Sequence, residues 1–228
     1  MQSAFKRNFS SWLSARLAAA PKHKTVALVV DKSEVSTLEC LKPHSSSQHF
    51  CQDLAMDKHH WIYQNDRRTL IVQHDSTDKD IKKHMRDLGS LTCQKLQAKK
   101  AADVEILCSS KVATENLGAF YNSFLLTNYE WTMKSNLEEK KDEKSEEQTD
   151  ERLKRKTKVI DSIVLAHENE MHPDFKTHEI FAQATVFARN LANIRGSPAT
   201  PCFMEEKVSE LCSQHPNSGI KELRVIRG

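Results

Sequence analysis

The sequence has 228 residues, of which 29% are charged and 38% are hydrophobic. No apolar run approaches the roughly 20 residues of a bilayer span, so the composition indicates a soluble globular protein. The first 24 residues carry five basic residues and no acid, so the net charge of +3 leaves −2 for the rest of the chain. That balance excludes nucleic-acid binding through an overall positive charge on the rest of the chain. The six cysteines form no Cys-x-x-Cys pair and indicate reduced thiols.

Residues 1–24 combine basic and serine residues with an apolar stripe at helical spacing. The stripe consists of Phe5, Phe9, Trp12, Leu13 and Leu17. A basic, acid-free amphipathic start is typical of a mitochondrial presequence. The segment therefore favours the mitochondrial matrix, with the cytoplasm as the alternative, although an ordinary basic helix or tail fits the same pattern.

Strand and helix patterns alternate along the chain. Hydrophobic runs predict strands at 25–30, 59–63, 68–73, 103–108, 159–165 and 223–226. An Asn65-Asp66 turn predicts a hairpin between the second and third strands. Apolar residues at helical spacing predict helices over about 81–99, 113–124, 180–191 and 204–211, with Thr77 and Asp80 resembling a capping box before the first. The alternation predicts an α/β fold in three layers, with a mixed sheet flanked by helices.

Residues 134–158 form a charge run with nine Lys or Arg and eight Asp or Glu. Only Leu137 and Leu153 are apolar, so the segment cannot bury enough surface to order itself. We expect a solvated excursion or a charged helix, and partner binding is the less favoured alternative.

The stretch from Phe181 to Glu206 reads as a helix, a break and a second helix. Gly196, Ser197 and Pro198 end the first helix. Thr200 is a candidate N-cap, and Pro201 follows at the first-turn position where proline is tolerated. Periodicity alone predicts a helical joint between two packed units.

Two strings resemble the leucyl aminopeptidases of the cytosol-aminopeptidase type. The first, Ala188-Arg189-Asn190-Leu191-Ala192-Asn193 followed by Thr200-Pro201, is similar to that family's interdomain linker. The second, Leu126-Thr-Asn128-Tyr129-Glu-Trp131, is similar to a segment at the end of a helix in the family's N-terminal domain. The resemblance makes Arg189, Asn190, Leu191, Asn193, Thr200, Pro201, Asn128, Tyr129 and Trp131 family-signature residues with structural roles.

The resemblance implies a three-layer N-terminal domain joined to a catalytic domain that holds two divalent metals, Zn or Mn, in a hexamer. The family's Val-Gly-Lys-Gly, Phe-Asp-Ser-Gly-Gly and Asn-Thr-Asp-Ala-Glu-Gly-Arg metal-site strings occur nowhere in this sequence. We therefore assign no catalytic residue, no metal ligand and no cofactor to this chain, and expect it to stop soon after the catalytic domain begins. The expected divisions are a basic segment 1–24, an α/β domain 25–173, a linker helix 174–195 and a truncated catalytic start 196–228.

Other constellations are weaker. Imidazole and thiolate groups are suitable zinc ligands, and five residues of these types lie close together in the sequence. Their spacing favours solvated histidines over a zinc site. They are His44, His49, Cys51, His59 and His60. The spacing of three further histidines would not place them on one face of a helix. They are His167, His172 and His178. No nucleophile-elbow or phosphate-loop string occurs.

Two hypotheses follow. The chain is the non-catalytic N-terminal part of a leucyl-type metallo-aminopeptidase, in which peptide is a substrate only if the catalytic domain is present. Alternatively, it is a catalytically inactive relative that serves as a structural or interaction subunit of a larger assembly. We expect a homo-oligomer in the first case.

Overall fold

The computed structural model describes residues 25–37, 57–64, 67–130, 159–194 and 199–214. Several features predicted from the sequence lie outside these ranges. They are the segment 1–24, the turn Asn65-Asp66, the charge run 134–158, the breaker Gly196-Ser197-Pro198, the strand 223–226, and the residues His44, His49, Cys51 and Trp131.

A five-stranded mixed sheet organises the described part of the chain. Its strands are β1 (Thr25–Asp31), β2 (His59–Gln64), β3 (Arg67–His74), β4 (Asp103–Cys108) and β5 (Ser162–His167). The strand order is β2-β3-β1-β4-β5. Only the β2–β3 pair is antiparallel, which confirms the predicted hairpin; the pairs β1–β3, β1–β4 and β4–β5 are parallel.

Both faces of the central strands are buried, which explains their unbroken hydrophobic runs. One face packs against the helices in a single cluster, to which the strands contribute Ala27, Val29, Leu70, Val72, Val104 and Ile106. The alternate residues point to the other face and are also fully buried; they are Val26, Leu28, Val30, Ile71 and Leu107. The predicted α/β mixed sheet is therefore confirmed.

Helix α1 (Ile81–Ala98) begins one residue after a true N-cap. The Asp80 carboxylate accepts a hydrogen bond of 3.0 Å from the Lys83 amide. The Thr77 hydroxyl instead donates to Asp75 at 2.6 Å. The predicted capping box was therefore wrong, because Asp80 is the cap itself and Thr77 belongs to the turn before it.

Helix α2 (Thr114–Asn128) lies against α1 on the sheet. Gly89 makes the close approach possible, since a Cβ there would overlap the carbonyl oxygen of Phe120. Phe120 and Phe124 are fully buried, and their ring centroids are 6.3 Å apart. The buried set of α1 matches the predicted face at Met85, Leu88, Thr92 and Leu96.

Strand β5 begins three residues later than the sequence predicts. Val159, Ile160 and Asp161 precede it without joining the sheet. The main chain of Ile160 pairs with the Asn128 side chain, and the Asp161 amide donates to Ala102 at 2.9 Å. These bonds occupy the groups that an earlier strand start would need.

Helix α3 (Asp174–Asn193) uses a different face from the predicted one. Phe175 stacks on Tyr121 with centroids 5.1 Å apart, and the His178 ring lies over Gly118. Ala182 completes this stripe and is the buried residue of the helix. Ile180, which the sequence predicted on the apolar face, is 53% exposed. The packing stripe therefore follows spacings of three and four residues from Phe175.

The chain divides into two compact units, at residues 1–185 and 186–228. Of the second unit, the structure describes the last part of α3 and helix α4 (Pro201–Gln214). Val208 and Leu211 of α4 are half-buried, while Met204 is 40% exposed. Across the described ranges of both units, no helix combines the length and apolarity that a membrane span requires.

Candidate functional site

The carboxyl ends of β1 and β3 bring two buried titratable residues side by side. Asp31 and His74 are register partners on these parallel strands, and only 5% and 2% of their surfaces are exposed. Asp31 Oδ1 accepts hydrogen bonds from the Ser33 amide at 2.9 Å and the Ser33 hydroxyl at 2.6 Å. Within the described residues, Asp31 Oδ2 and His74 Nδ1 are buried without a hydrogen-bond partner. Both side chains therefore retain unused polar capacity.

His84 of α1 adds a second buried imidazole to this edge. Its ring centroid lies 5.4 Å from that of His74. Its Nδ1 is 3.4 Å from Asp78 Oδ2, and the Asp75 amide points at its Nε2 from 3.4 Å. Burial lowers the pKa of both histidines, and their mutual repulsion lowers that of His74 further. Both rings are therefore neutral at pH 7.

The charge on Asp31 is retained despite its burial. Burial alone would raise the pKa of this carboxyl, but the hydrogen bonds from Ser33, helped by Ser76 and His74, together outweigh that effect and the pKa is lowered. An ionised carboxylate therefore lies beside the two neutral imidazoles. This group of residues, Asp31, His74, His84, Asp75 and Asp78, is the carboxyl-edge cluster.

The junction between β1 and β4 is the point where connections leave the sheet in opposite directions. In open α/β sheets this crevice is the usual place for a ligand. Here the Ser109 hydroxyl donates to the Glu34 carboxylate across it, and Lys111 Nζ donates to Ser33 Oγ at 3.2 Å. The protein's own side chains fill the space between these two loops, as Ser109 is fully buried and Glu34 is 9% exposed.

A surface depression of about 390 Å³ opens beside His84 at the start of α1. Basic and acidic side chains line it in equal numbers, namely Lys58, Lys79, Lys83, Asp78, Asp80 and Asp87. Because these charges balance, the lining gives no net attraction for an anion or a cation.

Asn128, which the sequence resemblance singled out, has a clear structural role. Its Nδ2 donates to the Ile160 carbonyl at 3.0 Å, and its Oδ1 accepts from the Ile160 amide at 2.9 Å. Gln97 of α1 also donates to Oδ1, at 3.2 Å. Asn128 thus joins the end of α2 to the chain entering β5. Tyr129 follows as the C-cap, half-buried and in extended conformation.

The residues that the resemblance assigns to the linker lie in the second unit. Arg189 is exposed on α3, whereas Asn190, Leu191 and Asn193 are half-buried. Thr200 Oγ1 accepts a hydrogen bond of 3.2 Å from the Phe203 amide, the bond expected of an N-cap. Pro201 is the first residue of α4, where it needs no hydrogen-bonded N–H.

The remaining candidate histidines are separated in the fold. His59 and His60 lie in β2, and His59 Nε2 is 3.1 Å from Thr92 Oγ1. His167 Nε2 donates to the Val112 carbonyl at 3.0 Å, while its Nδ1 accepts from Asn169 at 2.9 Å. Among the described residues, no group of three or more His, Cys, Asp or Glu is arranged to hold a metal ion.

The buried cysteines are poor nucleophiles. Burial raises the pKa of Cys93 to about 12 and raises that of Cys108 as well. Because the thiolate is the reactive form, neither thiol suits nucleophilic catalysis at neutral pH.

Sequence reasoning missed the carboxyl-edge cluster. One available signal was the presence of polar residues directly after two hydrophobic runs, at Asp31 and at His74-Asp75. The order β3-β1-β4, which brings those strand ends together, could not be read from the sequence.

No family model matches this sequence, and no curated protein matches it. Similar solved structures include a mutant of tomato leucine aminopeptidase, with a TM-score of 0.53 and 11% identity over 85% of this chain. The bottromycin maturation enzyme BotP in complex with Mn gives a TM-score of 0.54 and 12% identity over 86% of this chain. A second BotP structure gives 0.52 and 13% over 84%.

The chain spans 40% of the tomato leucine aminopeptidase and 37% of each BotP chain. At these identities the likeness concerns the fold. The mixed α/β architecture of this chain matches the N-terminal domain of leucine aminopeptidase.

Proposed function

We propose that this chain is the N-terminal, non-catalytic part of a leucyl-type metallo-aminopeptidase. The observation that supports this most is the shared mixed α/β fold. The likeness to leucine aminopeptidase and BotP extends over 84–86% of this chain but only 37–40% of those chains. The complete protein would release N-terminal residues from peptides, and its two divalent ions, Zn or Mn, would be held by residues that this sequence does not contain.

The signature residues contribute to the fold in this proposal. Asn128 fixes the end of α2 to the start of β5 through two hydrogen bonds to Ile160. Thr200 and Pro201 start α4. Arg189, Asn190, Leu191 and Asn193 lie in the last part of α3, which the resemblance makes the interdomain linker. Tyr129, the C-cap of α2, belongs to the second string, and the resemblance gives it and Trp131 a structural role.

The resemblance and the basic N-terminal segment support three further parts of the proposal. The complete protein forms a homo-oligomer, a hexamer in the family. Residues 1–24 direct it to the mitochondrial matrix, with a cytoplasmic form as the alternative. The chain is divided functionally at about residues 24, 173 and 195.

Reading the transcript beyond the codon for Gly228 tests the proposal. We expect the next few dozen codons to supply the lysine and aspartate of the Gly-Lys-Gly and Phe-Asp-Ser-Gly-Gly strings. The longer product should then hydrolyse a leucyl reporter peptide when Mn²⁺ is added. A stop codon directly after Gly228 would contradict the enzyme assignment and favour the structural or interaction subunit.

A further inference from the structure

The hydrogen bond that His84 accepts from the main chain suits only its neutral ring. Nδ1 lies 3.4 Å from Asp78 Oδ2, within ion-pair distance. The Asp75 amide approaches Nε2, which must therefore act as an acceptor. A proton on Nε2 would bring two N–H donors face to face. Protonation therefore removes the hydrogen bond between the first turn of α1 and the residue that follows β3.

Simultaneous protonation of His74 and His84 is unfavourable. The two rings are 5.4 Å apart, and the exposed fractions of His74 and His84 are 2% and 7%. Two imidazolium ions at this separation repel each other with little solvent screening.

The charges that face the two rings come from several elements. Asp31 at the end of β1 and Asp75 and Asp78 in the following turn favour protonation of His74. Asp75, Asp78 and Asp87 favour protonation of His84, whereas Lys58, just before β2, opposes it. These carboxylates can therefore compensate the charge of one protonated imidazole. One oxygen of Asp31 and one oxygen of Asp75 already accept local hydrogen bonds, from Ser33 and Thr77.

We propose that His74 and His84 form an acid-sensitive latch, which holds the first turn of α1 to the carboxyl ends of β1 and β3 at neutral pH and releases it on protonation. Release exposes the floor of the depression beside His84 while leaving α2 in place. The device would let mild acid change one surface of the domain without unfolding it. It is independent of the proposed aminopeptidase function.

Amide hydrogen exchange of the complete 228-residue chain tests the latch. Exchange rates, corrected for the intrinsic pH effect, are compared between pH 7.5 and 5.5 for residues 81–85 and, as an internal reference, for the core of α2. We expect opening of the first turn of α1 to increase at least tenfold relative to α2. Equal changes in the two helices would overturn the proposal.

Two variants make the test specific. His84→Gln keeps an acceptor for the Asp75 amide but has no titrating ring, so the extra opening at pH 5.5 should disappear. His59→Gln, at a separate site, should retain it. An unchanged acid response in His84→Gln, or its loss in His59→Gln, would contradict the latch.

The wild-type protein provides a measurement that does not depend on how the variants fold. The ¹⁵N shifts of both histidines report their tautomers and their titration. Protonation of His84 at Nε2 should share its midpoint with the opening of α1, and the titrations of His74 and His84 should each be broadened by mutual coupling. Independent titrations with no link to opening would overturn the proposal.

Discussion

The side chain of Asn128 pairs with both main-chain groups of Ile160, donating at 3.0 Å and accepting at 2.9 Å. Ile160 is only 3% exposed and Asn128 is 9% exposed, so water cannot readily replace these bonds. Immediately before β5, the Asn128 side chain thus satisfies the main-chain groups that a neighbouring strand would otherwise bond.

Replacing Asn128 with Ala should lower the free energy of unfolding by about 3 kcal/mol, because two buried main-chain groups lose their partners. Urea unfolding of the purified variant measures this directly. Asn122→Ala is the matched control. It removes a single hydrogen bond, to the His178 carbonyl at 3.0 Å, and should cost about 1 kcal/mol. Equal losses in the two variants would contradict the role of Asn128.

Asn128→Asp tests the direction of the bonds. The carboxylate still accepts from the Ile160 amide but faces the Ile160 carbonyl, which raises the pKa of this carboxyl in the folded state. A raised pKa contributes stability at low pH that is lost as the pH rises. The stability difference from wild type should therefore narrow as the pH falls toward about 4 and stay smallest below it, where the protonated carboxyl can donate. A constant difference would argue against this geometry.

The close approach of α1 and α2 depends on Gly89. Gly89→Ala should destabilise the protein by about 2 kcal/mol, because the added Cβ overlaps the Phe120 carbonyl and this outweighs the gain of about 1 kcal/mol in helix propensity. Gly118→Ala should cost less, since the atoms it meets belong to the His178 side chain, which can turn. Gln94→Ala, on the exposed side of α1, is the neutral control. Thermal or urea unfolding should reproduce this ranking.

The N-cap of α1 can be separated from the neighbouring turn. Asp80→Ala should cost about 1 kcal/mol, because the Lys83 amide loses its acceptor. Thr77→Ala should cost less, since its hydroxyl bonds to Asp75 outside the helix. A larger loss of stability for Thr77→Ala than for Asp80→Ala in urea unfolding would support the capping box instead.

His59 gives the protein a defined acid sensitivity. Burial, assisted by Lys95, lowers the pKa of its imidazole to about 4. The Thr92 hydroxyl donates to the Leu88 carbonyl at 2.6 Å, so it accepts from His59 Nε2. Because the pKa is lower in the folded state than the usual 6.5, the contribution of His59 to stability is complete above pH 6.5 and is lost as the pH falls toward 4.

His59→Gln should therefore lose less stability than wild type between pH 7 and 4.5. The difference should be on the order of 2 kcal/mol, allowing for screening at the partly exposed ring. Urea unfolding at several pH values measures it. Parallel stability curves for the two proteins would contradict the assignment.

The local sequence pattern was sufficient to predict the elements that depend mainly on their own residues. Strand β4 follows the predicted 103–108 run, and the predicted helical stretch 180–191 lies within α3. Long-range contacts decided the rest. β5 starts late because Ile160 bonds to Asn128, and α3 turns Ile180 outward because Phe175 and His178 pack on α2. The carboxyl-edge cluster depends on the strand order, which no local pattern specifies.

The proposed role is tested most directly by assaying the purified 228-residue chain for hydrolysis of a leucyl reporter peptide with added Mn²⁺ or Zn²⁺. Leucine aminopeptidase serves as the positive control, and circular dichroism verifies that the chain is folded. We predict turnover no higher than that of the metal and buffer alone. Metal-dependent turnover by the folded chain would contradict its assignment as the non-catalytic part of the enzyme.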